Sequence, residues 1–382
     1  MASVMSFPTR IVYGKGAIKE LPTELKRFGA TRPLLVTDKG ILQAGLLRFV
    51  APLLEHAGIK APIFTDFAAN PTDADAIKGA EAYKAAGADS VLGVGGGASL
   101  DMAKAIALLA HHDPPLAQYD DAKGGDAKIT PNIPPIIQVP TTAGTGSEVG
   151  RSTVLVIDGT KTVIFSPYLM AKVAILDPEL TVGLPPFITA ATGMDALTHN
   201  LEAYVAKGEH PLADAIAIDG LRRIAANLKK AVTNGKDLEA REQMLLGSAF
   251  GAIAFQKGLG ACHSVAHALT PVAGTHHGLA NSLMLPTVVS FNRMAAEERL
   301  ATVAVALGAD PKMSAAERAH LCSEMVDSLR VACGLPRKLS QAGVKREMIP
   351  QLVEKAMADA CHQTNPRPVS EVDFERLINE AF

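Results

Sequence analysis

The feature that most restricts the fold is a change of texture at Pro185-Pro186. Before it, short apolar runs alternate with helix-like stretches. Pro33–Thr37, Ala61–Thr65, Ser90–Val94, Pro135–Val139, Thr153–Ile157 and Val173–Leu176 read as strands, with Thr72–Ala86 and Leu100–Ala110 as helices between them. Such alternation predicts a parallel sheet wrapped by helices, with ligands at the carboxyl ends of the strands. After it come alanine-rich segments with helical spacing and almost no strand signal: Phe187–Ala206, Leu212–Lys230, Leu238–Gln256, Leu279–Arg293 and Ala315–Ala332. The expected fold is therefore an α/β N-terminal domain over residues 1–183 and an all-α C-terminal domain over 184–382. A chain of 382 residues has room for both. The active site is expected in the cleft between them.

Several partner classes are excluded at this level. The formal net charge is −2 with no basic block, which argues against nucleic acid or an anionic membrane. No apolar run reaches spanning length, and the first residues lack a signal-peptide apolar region, so a cytoplasmic location is expected. Cys262, Cys322, Cys333 and Cys361 show no CxxC spacing and read as reduced thiols.

The helical half carries a pattern suited to a metal. Asp195 and His199 are four apart, on one helical face about one turn apart; His263 and His267 repeat the spacing, and His276-His277 follow. Imidazoles with one carboxylate suit Fe(II) or Zn(II) better than Ca(II) or Mg(II).

Two loops in the first half suit a nucleotide. Ser90 to Asp101 passes from a strand through Gly95-Gly96-Gly97 into a helix, where free N–H groups can meet a phosphate. The GxGxxA match at Gly93, Gly95 and Ala98 is awkwardly placed, because this fingerprint ordinarily follows the first strand and at least two strands precede it here. A second polar turn, Pro140 to Glu148, also lies at a strand end.

At these residues the chain resembles a family, the iron-containing (group III) alcohol dehydrogenases, over essentially its full length. The segments are VTDKG (36–40), NPT (70–72), GGGASLD (95–101), PTTAGTGSE (140–148), DPELT (177–181), GMDALTH (193–199), CHSVAHAL (262–269), HHGLAN (276–281) and TNPRP (364–368). The resemblance implies a Rossmann-like sheet domain with a helical domain. It also implies a cytoplasmic NAD-dependent oxidoreductase acting on a small primary alcohol, diol or hydroxy acid. It places the metal ligands at Asp195, His199, His263 and His277, choosing His263 over His267 and His277 over His276. Fe(II) is the implied ion, with Zn(II) or Mn(II) compatible. Gly95, Gly96, Gly97 and Ser99 fall on the pyrophosphate loop, and Thr141, Thr142, Lys161 and Leu180 on the nicotinamide side. An acid at Asp38 favours NAD, since a carboxylate accepts from a ribose 2′-OH and repels a 2′-phosphate. His267 is the expected proton-handling group, and a homodimer or larger homo-oligomer is implied.

Phe250, Phe255, Val149, Leu259 and Cys361 are candidate lining residues, and Arg151 and Lys257 are candidate holders of a substrate carboxylate or sulfonate. The alternatives are a 4-hydroxybutyrate dehydrogenase-like or other anionic-aldehyde (sulfo- or phosphonoacetaldehyde) reductase and, outside enzymes, an NAD- or metal-sensing protein.

Overall fold

The structure, a computed structural model, describes residues 9–382. The chain forms two compact units. One runs to Thr142 and resumes over Gly146–Gly183; the other is Leu184–Phe382 together with Ala143–Thr145.

The first unit carries the strands β1 (Arg10–Tyr13), β2 (Pro33–Val36), β3 (Ile63–Phe64), β4 (Ser90–Gly95), β5 (Ile136–Pro140), β6 (Ser152–Ile157), β7 (Thr160–Phe165) and β8 (Val173–Leu176). Its helices are α1 (Leu21–Arg27), α2 (Lys39–Gln43), α3 (Ala51–His56), α4 (Asp73–Ala85) and α5 (Gly97–His111). Six strands form a parallel sheet in the order β1-β8-β5-β4-β2-β3. Helices cover both faces, so β2, β4, β5 and β8 are buried at every residue. Alternate side chains feed opposite cores: Leu34, Val36, Val91 and Ile136 pack on one face with Met102 and Ile106 of α5. Leu35, Leu92, Ile137 and Val173 pack on the other.

Strand order resolves the awkward position of the glycine turn. From β2 the chain moves outward to β3, then returns to place β4 on the other side of β2. The direction of winding therefore reverses between β2 and β4, and ligands of such sheets bind at that reversal. Asp38 follows β2 and the glycine turn ends β4, so both lie there.

Thr153–Ile157 is a strand, but not of the parallel sheet. As β6 it pairs antiparallel with β7 from Ser152↔Phe165 to Ile157↔Thr160. The connection is Asp158-Gly159, with φ of 50° and 73°. Positive φ at both central residues is the requirement of the tight hairpin turn that Asp-Gly favours.

A buried lysine organises the loop before this hairpin. Lys104 of α5 is 0 % exposed and donates to the carbonyls of Ser147 (2.6 Å), Gly150 (2.9 Å) and Ser152 (2.8 Å). Asp101, one turn earlier, accepts from the Ser147 hydroxyl at 2.6 Å. Burial lowers Lys104 to about 8, against the pull of Asp101 and Glu148.

The second unit is helical among its described residues: α6 (Pro186–Val205), α7 (Pro211–Thr233), α8 (Leu238–Ala254), α9 (Ala261–Ala273), α10 (His277–Asn292), α11 (Glu297–Leu307), α12 (Ala315–Ala332), α13 (Ile349–Ala358) and α14 (Glu371–Glu380). Helix α6 is buried at nearly every position from Thr189 to Val205 and forms the axis of the unit. Its Leu197 and Leu201 pack with Leu221, Ile224, Leu269 and Leu283 of the surrounding helices. No helix of the described residues is long and apolar enough to cross a membrane.

Candidate metal centre and nucleotide loops

Helix α6 presents Asp195 and His199 one turn apart, α9 presents His263, and His277 is the first residue of α10. Their polar atoms converge. Asp195 Oδ1 lies 3.9 Å from His199 Nε2, 3.8 Å from His263 Nε2 and 3.5 Å from His277 Nε2. One donor atom from each of Asp195, His263 and His277 falls within 4.8 Å of the other two. The His199 ring stacks on His263, centroids 4.6 Å apart. Asp195, His199 and His263 are 2 %, 5 % and 1 % exposed, whereas the His277 side chain is 19 % exposed, so the centre is buried on three members and open at the fourth.

The electrostatics suit ligands. Burial lowers His199 to about 4, outweighing the attraction of Asp195, so the ring is neutral with a lone pair to offer. Burial also pushes His263 down, but the hydrogen bond and charge of Glu202 more than offset it and the net shift is upward. Glu202 Oε2 sits 2.6 Å from His263 Nδ1. Asn281 donates its amide to Asp195 Oδ1 at 2.7 Å and lies 3.2 and 3.3 Å from Nε2 of His263 and His277. Among the described residues, every ion pair of Asp195 is to a histidine and none to a lysine or arginine. Three imidazole nitrogens and a carboxylate, crowded and lacking a basic side chain, fit a borderline divalent ion of the Fe(II) or Zn(II) type.

His267 takes a different partner. Its Nδ1 lies 2.8 Å from Asp359 Oδ2, and Asp359 Oδ1 accepts from Ser264 Oγ and the Cys361 N–H, each at 2.9 Å. Burial alone would raise Asp359, but the charge and bond of His267 and the Cys361 bonds hold it well below the usual carboxylate range. The ring remains 16 % exposed and stacks on His277 at 5.3 Å. His267 therefore adjoins the convergent atoms without joining them.

At the sheet reversal, Gly95 has φ 152°, and a Cβ there would stand 2.4 Å from Ser99 Oγ. Gly96, Gly97 and Ala98 are partly open at the start of α5, where helix N–H groups lack internal partners. Asp38 accepts from the Ile41 N–H at 3.0 Å as the cap of α2, and from Ser99 Oγ at 2.8 Å. Ser99 is fully buried, so its hydroxyl serves Asp38. Thr141 is 2 % exposed with its N–H on the Gly95 carbonyl, while Thr142 is half-buried beside Gly96. Lys161 lies on β7 within electrostatic reach of Asp101, and Leu180 packs in the core beside Val173 and Ile175.

The lining candidates divide. The Phe255 ring lies 5.3 Å from that of His199, and Cys361 adjoins Asp359. Phe250 packs under Arg223, and Val149 is buried in the sheet unit. Lys257 donates to Asp214 at 2.6 Å and to the Tyr204 carbonyl at 2.9 Å, so it is committed elsewhere; Arg151 lies over Phe165. Reading by sequence missed Glu202, Asn281 and Asp359. The first two were accessible to it: Glu202 extends Asp195 and His199 at +7, and Asn281 follows His277 at +4.

Comparison with known proteins agrees along the whole length. The family model described as iron-containing alcohol dehydrogenase matches residues 8–178, and that described as Fe-containing alcohol dehydrogenase family, C-terminal, matches residues 189–382. The chain is 40 % identical to a 4-hydroxybutyrate dehydrogenase of Cupriavidus necator, covering 98 % of each. It is 38 % identical to an NAD-dependent methanol dehydrogenase of Bacillus methanolicus, again covering 98 % of each. The crystal structure of a 1,3-propanediol oxidoreductase superposes with a TM-score of 0.95 at 35 % identity, covering both chains fully.

Proposed function

The chain belongs to the iron-containing alcohol dehydrogenase family, and on that footing we propose that it interconverts a small primary alcohol and its aldehyde with NAD(H), using a divalent ion held by Asp195, His199, His263 and His277. The observation that carries this is the convergence of three Nε2 atoms on Asp195 Oδ1. When bound, the ion supplies Lewis acidity toward an alcohol or carbonyl oxygen and the nicotinamide supplies hydride exchange.

The chain's own residues do the rest. Gly95, Gly96 and Gly97 present the N–H groups of α5 to a pyrophosphate, and the Asp38–Ser99 bond fixes the edge of that turn. Each Asp38 oxygen makes one hydrogen bond here and retains a lone pair for a ribose 2′-OH; its charge disfavours a 2′-phosphate. Thr141, Thr142, Lys161 and Leu180 complete the nicotinamide side in this reading. His267, held by Asp359 and partly open, accepts the alcohol proton and returns it in the reverse direction. Among the described residues no strand pairs with the outer edge of β1, which suits pairing between two copies, in a homodimer.

Neutral alcohols and diols are favoured over ω-hydroxy acids, because Lys257 Nζ is bonded to Asp214 and the Tyr204 carbonyl and Arg151 lies over Phe165. A second reading, a hydroxy-acid dehydrogenase, is supported by the 40 % identical 4-hydroxybutyrate enzyme. The test is to strip the protein with chelator, restore Fe(II), Zn(II) or Mn(II) singly, and follow NADH and NADPH oxidation with butanal, 3-hydroxypropanal, succinic semialdehyde and sulfoacetaldehyde. Faster turnover of the neutral aldehydes with NADH is expected. Undiminished turnover without any ion overturns the ion's role, and NADPH preference overturns that of Asp38.

A further inference from the structure

The centre contains a carboxylate that does not face the convergent atoms. Glu202 is on α6, seven residues after Asp195 and three after His199, and its side chain is 1 % exposed. It reaches the start of α9 and meets three nitrogens there. Oε1 accepts from the Cys262 N–H at 2.8 Å, and Oε2 lies 3.4 Å from the His263 N–H and 2.6 Å from His263 Nδ1.

These contacts accomplish two things. First, they cap α9. Its own cap residue is Gly260, which has no side chain to offer, and Glu202 with Asn365 meets the exposed N–H groups of Ala261, Cys262 and His263. A buried negative charge at that helix end also matches its dipole. Second, a carboxylate at 2.6 Å can only accept, so the Nδ1 proton of His263 is held in place and Nε2 is the atom turned toward Asp195. Gly260 permits the approach: a Cβ there would meet Glu202 Oε1 at 2.6 Å and Asn365 Oδ1 at 2.8 Å.

Resting on the ion site proposed above, we propose that Glu202 is the positioning residue of that site, locking His263 with Nε2 inward by gripping both its ring and its helix end. The carboxylate touches neither substrate nor cofactor; it acts through His263. Removing its charge while keeping its shape should weaken ion binding more than folding. Outer carboxylates of this kind change ion affinity by ~10–100-fold.

The experiment is competitive titration of Zn(II) against a chromophoric chelator for wild type, Glu202→Gln and His263→Ala, with thermal unfolding of each ion-free protein alongside. For Glu202→Gln, a loss of affinity of ~10-fold or more in a protein whose ion-free transition stays cooperative supports the proposal. Affinity within twofold of wild type overturns it, since a cap alone would leave the ion unaffected. If wild type itself binds no more tightly than His263→Ala, the ion site falls with it. That result is distinct from wild type and Glu202→Gln binding equally well while His263→Ala does not, which removes only the role of Glu202. If Glu202→Gln does not fold, two-bond 1H–15N spectra of Zn(II)-loaded wild type decide the matter. A protonated Nδ1 and a zinc-bound Nε2 on His263 are expected, and the reverse assignment refutes the claim.

Discussion

Each unit buries a cluster of ionisable side chains, and the two clusters are finished differently. In the sheet unit, Asp101 and Glu148 come with Lys104, whose ammonium fills all three donor positions with backbone carbonyls. That cluster carries its own cation, and what it shapes is the loop over residues 147–152. In the helical unit, Asp195, His199, His263 and His277 come with an uncharged amide, Asn281, as the donor to Asp195 Oδ1. Buried charge needs a counter-charge. One cluster is complete as folded, and the other has the composition of a site that takes a cation from solution.

The contrast is tested most severely by removing ligands. Asp195→Ala and His263→Ala should lose both the bound ion and turnover, while far-UV circular dichroism stays native; a folded variant with wild-type ion content would erase the distinction between the clusters. Next comes His267→Ala. It lies beside the proposed ion ligands but outside them, so ion content should remain while kcat falls by ~10²–10⁴, the range for general acid–base groups. Equal loss of ion and kcat would move His267 into the ligand set.

Lys104→Met breaks the other cluster. It strands two carboxylates and the carbonyls of Ser147, Gly150 and Ser152, and removing one partner from a buried charge group costs about 3–5 kcal/mol. Denaturant midpoints should fall accordingly, with affinity for Zn(II) unchanged.

The smallest effect is a pH dependence. Burial raises Glu148 from 4.5 to about 7. Between those values the folded protein keeps a proton that the unfolded chain releases, so stability decreases as pH rises through that window. Glu148→Gln should flatten the decline and, above pH 7, exceed wild type by about 1–3 kcal/mol. A variant that tracks the wild-type curve would place the Glu148 carboxylate in contact with water.

Sequence patterns revealed these clusters unevenly, for physical reasons. The Asp195/His199 spacing was visible because a helix repeats every ~3.6 residues, and both side chains must then share a face. Glu202 obeyed the same rule and was overlooked because an acid on a helix is ordinarily solvated; only burial distinguishes it. Asp359 had no periodic signal, since it reaches His267 from 92 residues away. The strands β2, β4, β5 and β8 were legible as unbroken apolar runs, the mark of strands buried on both faces. β1 and β7 were not, having mixed exposure; yet Asp158-Gly159 announced the β6–β7 hairpin, and it was the alternation with helices that suggested a parallel strand at Thr153–Ile157 instead. The glycine turn looked misplaced by strand count because counting along the chain does not reveal spatial order.

The disposition of Asp195, His199 and Glu202 along α6 has a consequence for how this chain can vary. At ~100° per residue their offsets of 0, +4 and +7 fall within an arc of ~60°. One inserted residue between Leu197 and Thr198 would swing His199 and Glu202 together by ~100° relative to Asp195, whereas the same insertion in the turn after Thr233 would leave all three in register. Substitutions can erode the centre one group at a time, but a change in the length of α6 dismantles it at a stroke. Descendants of this sequence can lengthen their loops freely and still keep the centre only if the spacing from Asp195 to Glu202 stays unaltered.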